Sequence, residues 1–145
     1  MSTPPAPDWS HTPEYLWPQP TPDDREFWEG ARRDELRIQR CGACGLHQHY
    51  PRSLCSHCGK AAIAWVTASG LGTLYSYTVI RQNGAPPFRD RVPFVVATID
   101  LDERGARVLA AMPSVVPEDA RIGMRVRAAF RAANDELGFV DFEPA

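Results

Sequence analysis

Cys41-Gly42-Ala43-Cys44-Gly45 and Cys55-Ser56-His57-Cys58-Gly59 form two matched knuckles spaced C-x2-C-x10-C-x2-C. Paired C-x2-C turns in a chain with no secretory segment read as a tetrahedral metal site, not as disulfides. Each knuckle has to turn tightly enough to aim two thiolates and several backbone amides at one ion. The glycine that follows each second cysteine supplies the backbone freedom for that turn. Four thiolates leave no open coordination position, so the expected ion is a structural zinc and not a Lewis acid. Iron in the same cage satisfies the spacing equally well. A redox dithiol would have no need of two matched knuckles. His47, His49 and His57 lie between or beside the ligands and, with four cysteines already present, read as surface residues of the ribbon.

On the N-terminal side of the knuckles, Leu36-Arg37-Ile38-Gln39-Arg40 alternates and predicts a strand leading into Cys41. Ahead of it, Thr21-Pro22-Asp23-Asp24 reads as a helix start, with Thr21 as N-cap, proline at the first helical position and two acids on the positive end of the dipole. The helix should run from about residue 22 to 33, with Phe27 and Ala31 on one face and Trp28 beside them. Residues 1–21 are different. Half of the chain's 14 prolines fall within the first 22 residues, and each removes a donor and fixes φ, which excludes a helix or an inner strand. Trp9, Tyr15, Leu16 and Trp17 in this arm are costly to leave in water. They predict a docking segment that packs along a partner subunit or back over the chain's own barrel.

On the C-terminal side the pattern becomes a series of strands. Leu71–Ile80 alternates, with Leu71, Thr73, Tyr75, Tyr77 and Val79 on one face, and core is the favoured place for Tyr75 or Tyr77. Residues 93–101 make a near-continuous apolar run, as in a strand covered on both faces. Arg107–Met112 is a third strand. Residues 122–131 form a fourth, with Ile122, Met124, Val126, Ala128 and Phe130 inward, and residues 137–142 a fifth. Pro117-Glu118-Asp119-Ala120 predicts a short helical turn before the fourth. Five strands of this size predict a small closed barrel of the OB type, with an SH3-like barrel as runner-up. The predicted organisation is mainly β: arm 1–21, helix 22–35, zinc ribbon 36–62 and OB barrel 63–145. The loop from Gln82 to Val92, with Phe88 at its tip, is long enough to suggest a functional role.

Composition narrows the function. The 145 residues carry a net charge of −2, and only one of the 16 bases is lysine. Residues 1–36 hold eight acids against three bases, 37–91 seven bases against one acid, and 92–145 nine acids against six bases. A middle segment of net +6 between acidic ends suits an anionic ligand better than a long polyanion. No apolar run approaches the roughly 20 residues of a membrane span, and no signal segment opens the chain, so the expected location is the cytoplasm. Beyond residue 60 there is no cysteine or histidine, and the acid pairs Asp100/Asp102 and Asp135/Glu136 read as solvated turn residues. With every thiol committed to metal, no nucleophile or acid/base group remains. The residues therefore predict a binding or assembly module, not an enzyme by itself.

Taken together, Phe27-Trp28, Leu36 to Cys41, the knuckles, Trp65-Val66, Gly70-Leu71-Gly72-Thr73-Leu74-Tyr75-Ser76-Tyr77-Thr78-Val79 and Arg121-Ile122-Gly123-Met124 resemble one family. Its members are acyl-CoA-associated proteins with a rubredoxin-like zinc ribbon followed by an OB fold, long classed as a domain of unknown function. The resemblance covers about residues 20 to 143. It implies that Cys41, Cys44, Cys55 and Cys58 hold the zinc. It also implies a non-catalytic subunit of a hetero-oligomer with a thiolase-like enzyme, or alternatively a hot-dog hydratase. The settings include thiolysis, aromatic acylation and retro-aldol cleavage of steroid side chains. Arg81 departs from the histidine many members carry, as does the longer aromatic arm. If acyl-CoA contacts this chain, Arg37, Arg40, Arg52, Arg81, Arg89 and Arg91 are the expected phosphate contacts, and Phe27, Trp28 or Phe88 the surface for the pantetheine arm. The rival class is a single-stranded nucleic-acid-binding protein, with Tyr75 and Tyr77 as stacking platforms. The low lysine count and acidic extremities weigh against it.

Overall fold

A computed structural model describes residues 7–145, so Pro4 and Pro5 of the arm lie outside the described part. The described residues fold as two antiparallel sheets and one α-helix, with short 3-10 turns between them. Strands β1 (Arg37–Cys41), β2 (His47–Gln48) and β3 (Ile63–Thr67) form the first sheet in the order β2-β1-β3. Strands β4 (Leu71–Ile80), β5 (Phe94–Leu101), β6 (Arg107–Met112), β7 (Arg125–Ala132) and β8 (Gly138–Pro144) form the second in the order β6-β5-β4-β7-β8. The fold is therefore mainly β, a zinc ribbon followed by an OB sheet.

In the ribbon, β1 is central because both its edges are paired: Gln39 faces Gln48 on one side and Trp65 on the other. Gln39 and Gln48 are both buried, and a buried amide has to be hydrogen-bonded. The Gln39 oxygen accepts from Gln48 Nε2 (2.6 Å) and from the Arg52 backbone N–H (2.8 Å), while the Gln48 oxygen accepts from the Ser56 N–H (2.7 Å). Two side chains thus fix the loop that delivers the second knuckle.

Helix α1 spans Arg25–Arg32, starting three residues later than the sequence suggests. The reason is local. The Asp24 carboxylate accepts from the Thr21 N–H (2.6 Å) and hydroxyl (3.0 Å), which closes a turn before the helix and makes Asp24, not Thr21, the N-cap residue. Phe27, Gly30 and Ala31 form the buried face. That face lies directly on β8 at Gly138, where a Cβ would stand 2.7 Å from the Arg32 nitrogen.

The barrel core is built from Leu74, Val95, Ala97, Ile99, Val108, Met112, Val126 and Phe142, all buried. Strand β6 pairs only with β5 and β8 only with β7, so the barrel closes by packing of β6 against β8 without a ladder between them. Three strand readings change. β4 carries a bulge, since Leu74 pairs with Ile99 and Ser76 with Thr98, leaving Tyr75 as the extra residue. A bulge shifts the side-chain phase. Gly72 and Leu74 face the core, Leu71 and Tyr75 are exposed, and Tyr77 returns to the core side only after the bulge. β5 is not covered on both faces: Val95, Ala97, Ile99 and Leu101 are buried, and Val96, Thr98 and Asp100 are not. β7 begins at Arg125, and Ile122 lies outside it, 70% exposed. The turn at Pro117–Asp119 is a 3-10 helix, as the proline and acids indicate. No helix among the described residues is long and apolar enough to cross a membrane.

Candidate metal centre and ligand cavity

The sulfurs of Cys41, Cys44, Cys55 and Cys58 all lie within 4.8 Å of one another. Cys41 to Cys58 and Cys44 to Cys55 are each 3.7 Å apart. A tetrahedral zinc with Zn–S bonds of ~2.3 Å requires S···S edges of about 3.8 Å, so the cage has the size the ion needs. The knuckles repeat the same local geometry. The N–H groups of Ala43 and Cys44 point at Cys41 Sγ (3.4 and 3.5 Å), and those of His57 and Cys58 at Cys55 Sγ (3.3 and 3.4 Å). Gly45 and Gly59 close the turns at φ 78° and 81°, where a β-carbon would be strained. The N–H groups of Cys44 and Ala43 outweigh the effect of burial and bring the Cys41 thiol down to about 6. The N–H near Lys60 lowers Cys58, but burial and the three neighbouring sulfurs push it up to about 11. Four thiolates at this spacing need a dication between them, and the donor set fits a structural zinc held by these four cysteines.

A second feature lies where α1, the ribbon loop and the unpaired β6/β8 seam meet. It is a cavity of about 410 Å³. Phe27 and Trp28 enter from α1, His49, Tyr50 and Pro51 from the ribbon, Leu109 to Ala111 from β6, Arg131 from β7, and Phe139 to Asp141 from β8. His49 is not the surface residue the ribbon reading implies. Its ring stacks 4.3 Å from Tyr50 and 4.8 Å from Phe27, its Nδ1 is buried without a hydrogen-bond partner, and burial lowers its pKa to about 4, so it is neutral. Arg131 grips Asp141 with both arms of its guanidinium. Burial outweighs the Arg131 bonds and leaves the Asp141 carboxyl above its ordinary value, while the two-bond geometry is that of an ion pair. At the opposite wall, burial raises Asp24, but the bonds from Thr21 and Trp28 prevail and hold it below the usual carboxylate range.

The described part of the arm lies on the barrel. Trp9 meets the Phe94 ring edge-on at 5.1 Å and is stacked by the guanidinium groups of Arg91 (4.5 Å) and Arg131 (5.4 Å). Arg91 donates to the carbonyls of Asp8 (3.1 Å) and His11 (3.0 Å), and is 4% exposed. The Tyr15 hydroxyl donates to the Pro86 carbonyl, and Leu16 closes a small hollow with Phe88 and Phe139. Trp17 Nε1 donates back to Thr12 within the arm. Residues 14–16 form one 3-10 turn.

The arginines proposed for phosphate are not brought to one place. Arg91 is enclosed by the arm, Arg37 is taken by Glu26 (3.1 Å) and Thr67 (2.8 Å), and Arg89 donates to Gly84. Arg40, Arg52 and Arg81 are exposed. None of the six lines the cavity, whereas Phe27 and Trp28 do; Phe88 packs instead near Arg91 and Phe94. Tyr75 is exposed and covered by Arg107 at 3.7 Å, which itself pairs with Asp100. His49, Tyr50, Leu109, Arg131, Phe139 and Asp141 escaped the sequence reading. Only Asp141, an acid inside the apolar stretch Phe139-Val140-Asp141-Phe142, carried a visible signal.

The zinc-ribbon pattern described as "ChsH2, rubredoxin-like zinc ribbon domain" matches residues 28–64, and "ChsH2, C-terminal OB-fold domain" matches residues 65–131. The "Probable enoyl-CoA hydratase alpha subunit" of Thermomonospora curvata is 38% identical over 135 residues, 92% of this chain but only 41% of that protein. This chain thus spans about two-fifths of that relative. A "DUF35 domain-containing scaffold protein" of Methanocaldococcus jannaschii is 36% identical over 99 residues, 67% of this chain and 68% of that one. Among solved structures, a chain of the "Ltp2-ChsH2(DUF35) aldolase" superposes with a TM-score of 0.76 at 35% identity, covering 88% of this chain and 98% of that chain. With a zinc ribbon and an OB barrel matched in this order, and a cysteine cage of the size zinc requires, the chain belongs to the ChsH2 (DUF35) family.

Proposed function

We propose that this chain is a non-catalytic, zinc-containing accessory subunit of an acyl-CoA-processing complex in the cytoplasm, where reduced thiols persist. Its partner in this reading is a thiolase-like enzyme that makes or breaks C–C bonds, with a hot-dog hydratase as the alternative. The observation that carries the reading is the match, over 98% of its length, to the ChsH2 (DUF35) chain of an aldolase. A metal cage with no open position and no cysteine or histidine beyond residue 60 fit a supporting role. The zinc holds the ribbon's shape, and the ribbon and barrel hold the surface that the partner meets. Arg40, Arg52 and Arg81 are the exposed bases available for CoA phosphates, each a charge-assisted contact if used.

The test is co-expression of the full chain with the thiolase-like and hot-dog proteins of its own genome, followed by size-exclusion chromatography and acyl-CoA turnover. A stable hetero-oligomer whose turnover needs both chains supports the reading. Elution of the chain by itself in every pairing, or acyl-CoA turnover by the chain alone, removes it. Titration calorimetry with CoA, run on chain and complex, asks separately whether the thioester's nucleotide touches this subunit.

A further inference from the structure

From the cavity beside the zinc ribbon we infer a binding site for a neutral, ring-bearing organic molecule, enclosed between α1, the His49–Pro51 loop and the unpaired seam of the barrel. The cavity of about 410 Å³ falls within the ~300–1,000 Å³ span of small-molecule sites. Its walls are flat and apolar: Phe27, Trp28, Tyr50 and Phe139 supply rings, Leu109 and Ala111 an aliphatic side. Tyr50 and Leu109 are 53% and 56% exposed, so apolar surface continues to the rim, as expected where a ligand completes the burial.

The charges set the ligand's class. Among the described residues Arg131 is the lone base in the lining, and its guanidinium is paired with Asp141. Asp23 and Asp24 stand at the wall with no base opposite them, and His49 is neutral. A phosphate or carboxylate entering here would meet two acids and no free cation. An uncharged ring system meets only rings, methyl groups and polar handles. Those handles include the peptide groups on the outer edges of β6 and β8, each paired with a strand on one side only, which suit a ligand hydroxyl or carbonyl. Leu109 and Ala111 alternate with the core residues Val108, Ala110 and Met112, so they face outward into this space, and a ligand binds without disturbing the barrel core.

The lining comes from this chain, so the site is tested on the full zinc-loaded chain by itself. The probe is the neutral dye N-phenyl-1-naphthylamine, read by energy transfer from tryptophan, since Trp28 lines the cavity. Its sulfonated relative 8-anilino-1-naphthalenesulfonate has the same ring skeleton with a negative charge. Saturable binding of the neutral dye, with the sulfonate about tenfold weaker from repulsion by Asp23 and Asp24, supports the site. Ala111→Phe fills the space and should weaken the neutral dye at least about tenfold. Asp23→Lys, at an exposed position of the rim, should tighten the sulfonate relative to the neutral dye by about tenfold or more. Absence of saturable neutral-dye binding overturns the proposal, as does binding indifferent to Ala111→Phe in a folded variant. Equal affinity for the two dyes, unaltered by Asp23→Lys, overturns the assigned charge class. None of these outcomes bears on whether the chain assembles with a partner.

Discussion

Lowering the pH from 7 to 5 should cost this protein stability through His49, and the size of the loss follows from its surroundings. The imidazole is enclosed by Phe27 and Tyr50, and burial lowers its pKa from the ordinary 6.5 to about 4. A depressed folded pKa means that the stabilisation is fully present above the unfolded value and is lost as the pH falls toward the folded value. Between 6.5 and 4 the unfolded chain binds a proton that the native state refuses. Linkage then gives a loss of about 2 kcal/mol between pH 7 and pH 5, approaching about 3 kcal/mol near pH 4. The cysteine ligands also bind protons on acidification, as does Asp141, whose carboxyl is pushed up by burial. The comparison with His49→Phe cancels these, because Phe keeps the ring packing and titrates nowhere. Urea unfolding at pH 7 and pH 5, with zinc in excess, should show wild type losing about 2 kcal/mol more than His49→Phe. Equal losses in the two proteins would refute the claim that His49 is held neutral by burial.

Two further outcomes follow from the same contacts. Chelation, or Cys58→Ser, should unfold the ribbon: zinc binding to such a site is worth on the order of 10 kcal/mol, comparable to a whole domain's stability. The barrel, with its own core around Phe142 and Ile99, should keep its sheet; metal analysis and circular dichroism report both, and a chain unchanged by zinc loss would contradict the structural role. Trp9→Ala should destabilise the chain by about 1–3 kcal/mol, because it removes the Phe94 contact and the stacking of buried Arg91. Denaturant unfolding at neutral pH measures this, and an unchanged midpoint would mean the arm is not held by its tryptophan.

The fold was legible wherever local pattern dictates structure. The knuckles fix the ribbon because two C-x2-C turns can converge on one ion, and the order of alternating segments after residue 70 fixes an OB sheet whose β4 and β6 begin and end where the alternation does. The errors share a cause: periodicity reports which face a residue shares, but not where a partner strand forces an irregularity. Leu71, Thr73 and Tyr75 share one face as the alternation says, but that face is the outer one, and the bulge at Tyr75 opposite Ile99 and Thr98 is what returns Tyr77 to the core side. Asp24 displaced Thr21 as N-cap because a single carboxylate reached back to close the preceding turn.

For the site, the division is sharper. The four metal ligands are close in sequence, so their spacing alone specifies a closed thiolate cage. The cavity draws Phe27, Tyr50, Leu109, Arg131 and Asp141 from elements spread over most of the chain, a separation that no spacing rule bridges. Likewise, the +6 middle segment looked like one anion-binding surface, but folding gave Arg91 to the arm and Arg37 to Glu26. Local chemistry determined the metal ligands and the fold class. The cavity, its charge and the lie of the arm came only from tertiary packing, because burial and ion pairing are set by residues that the sequence keeps far apart.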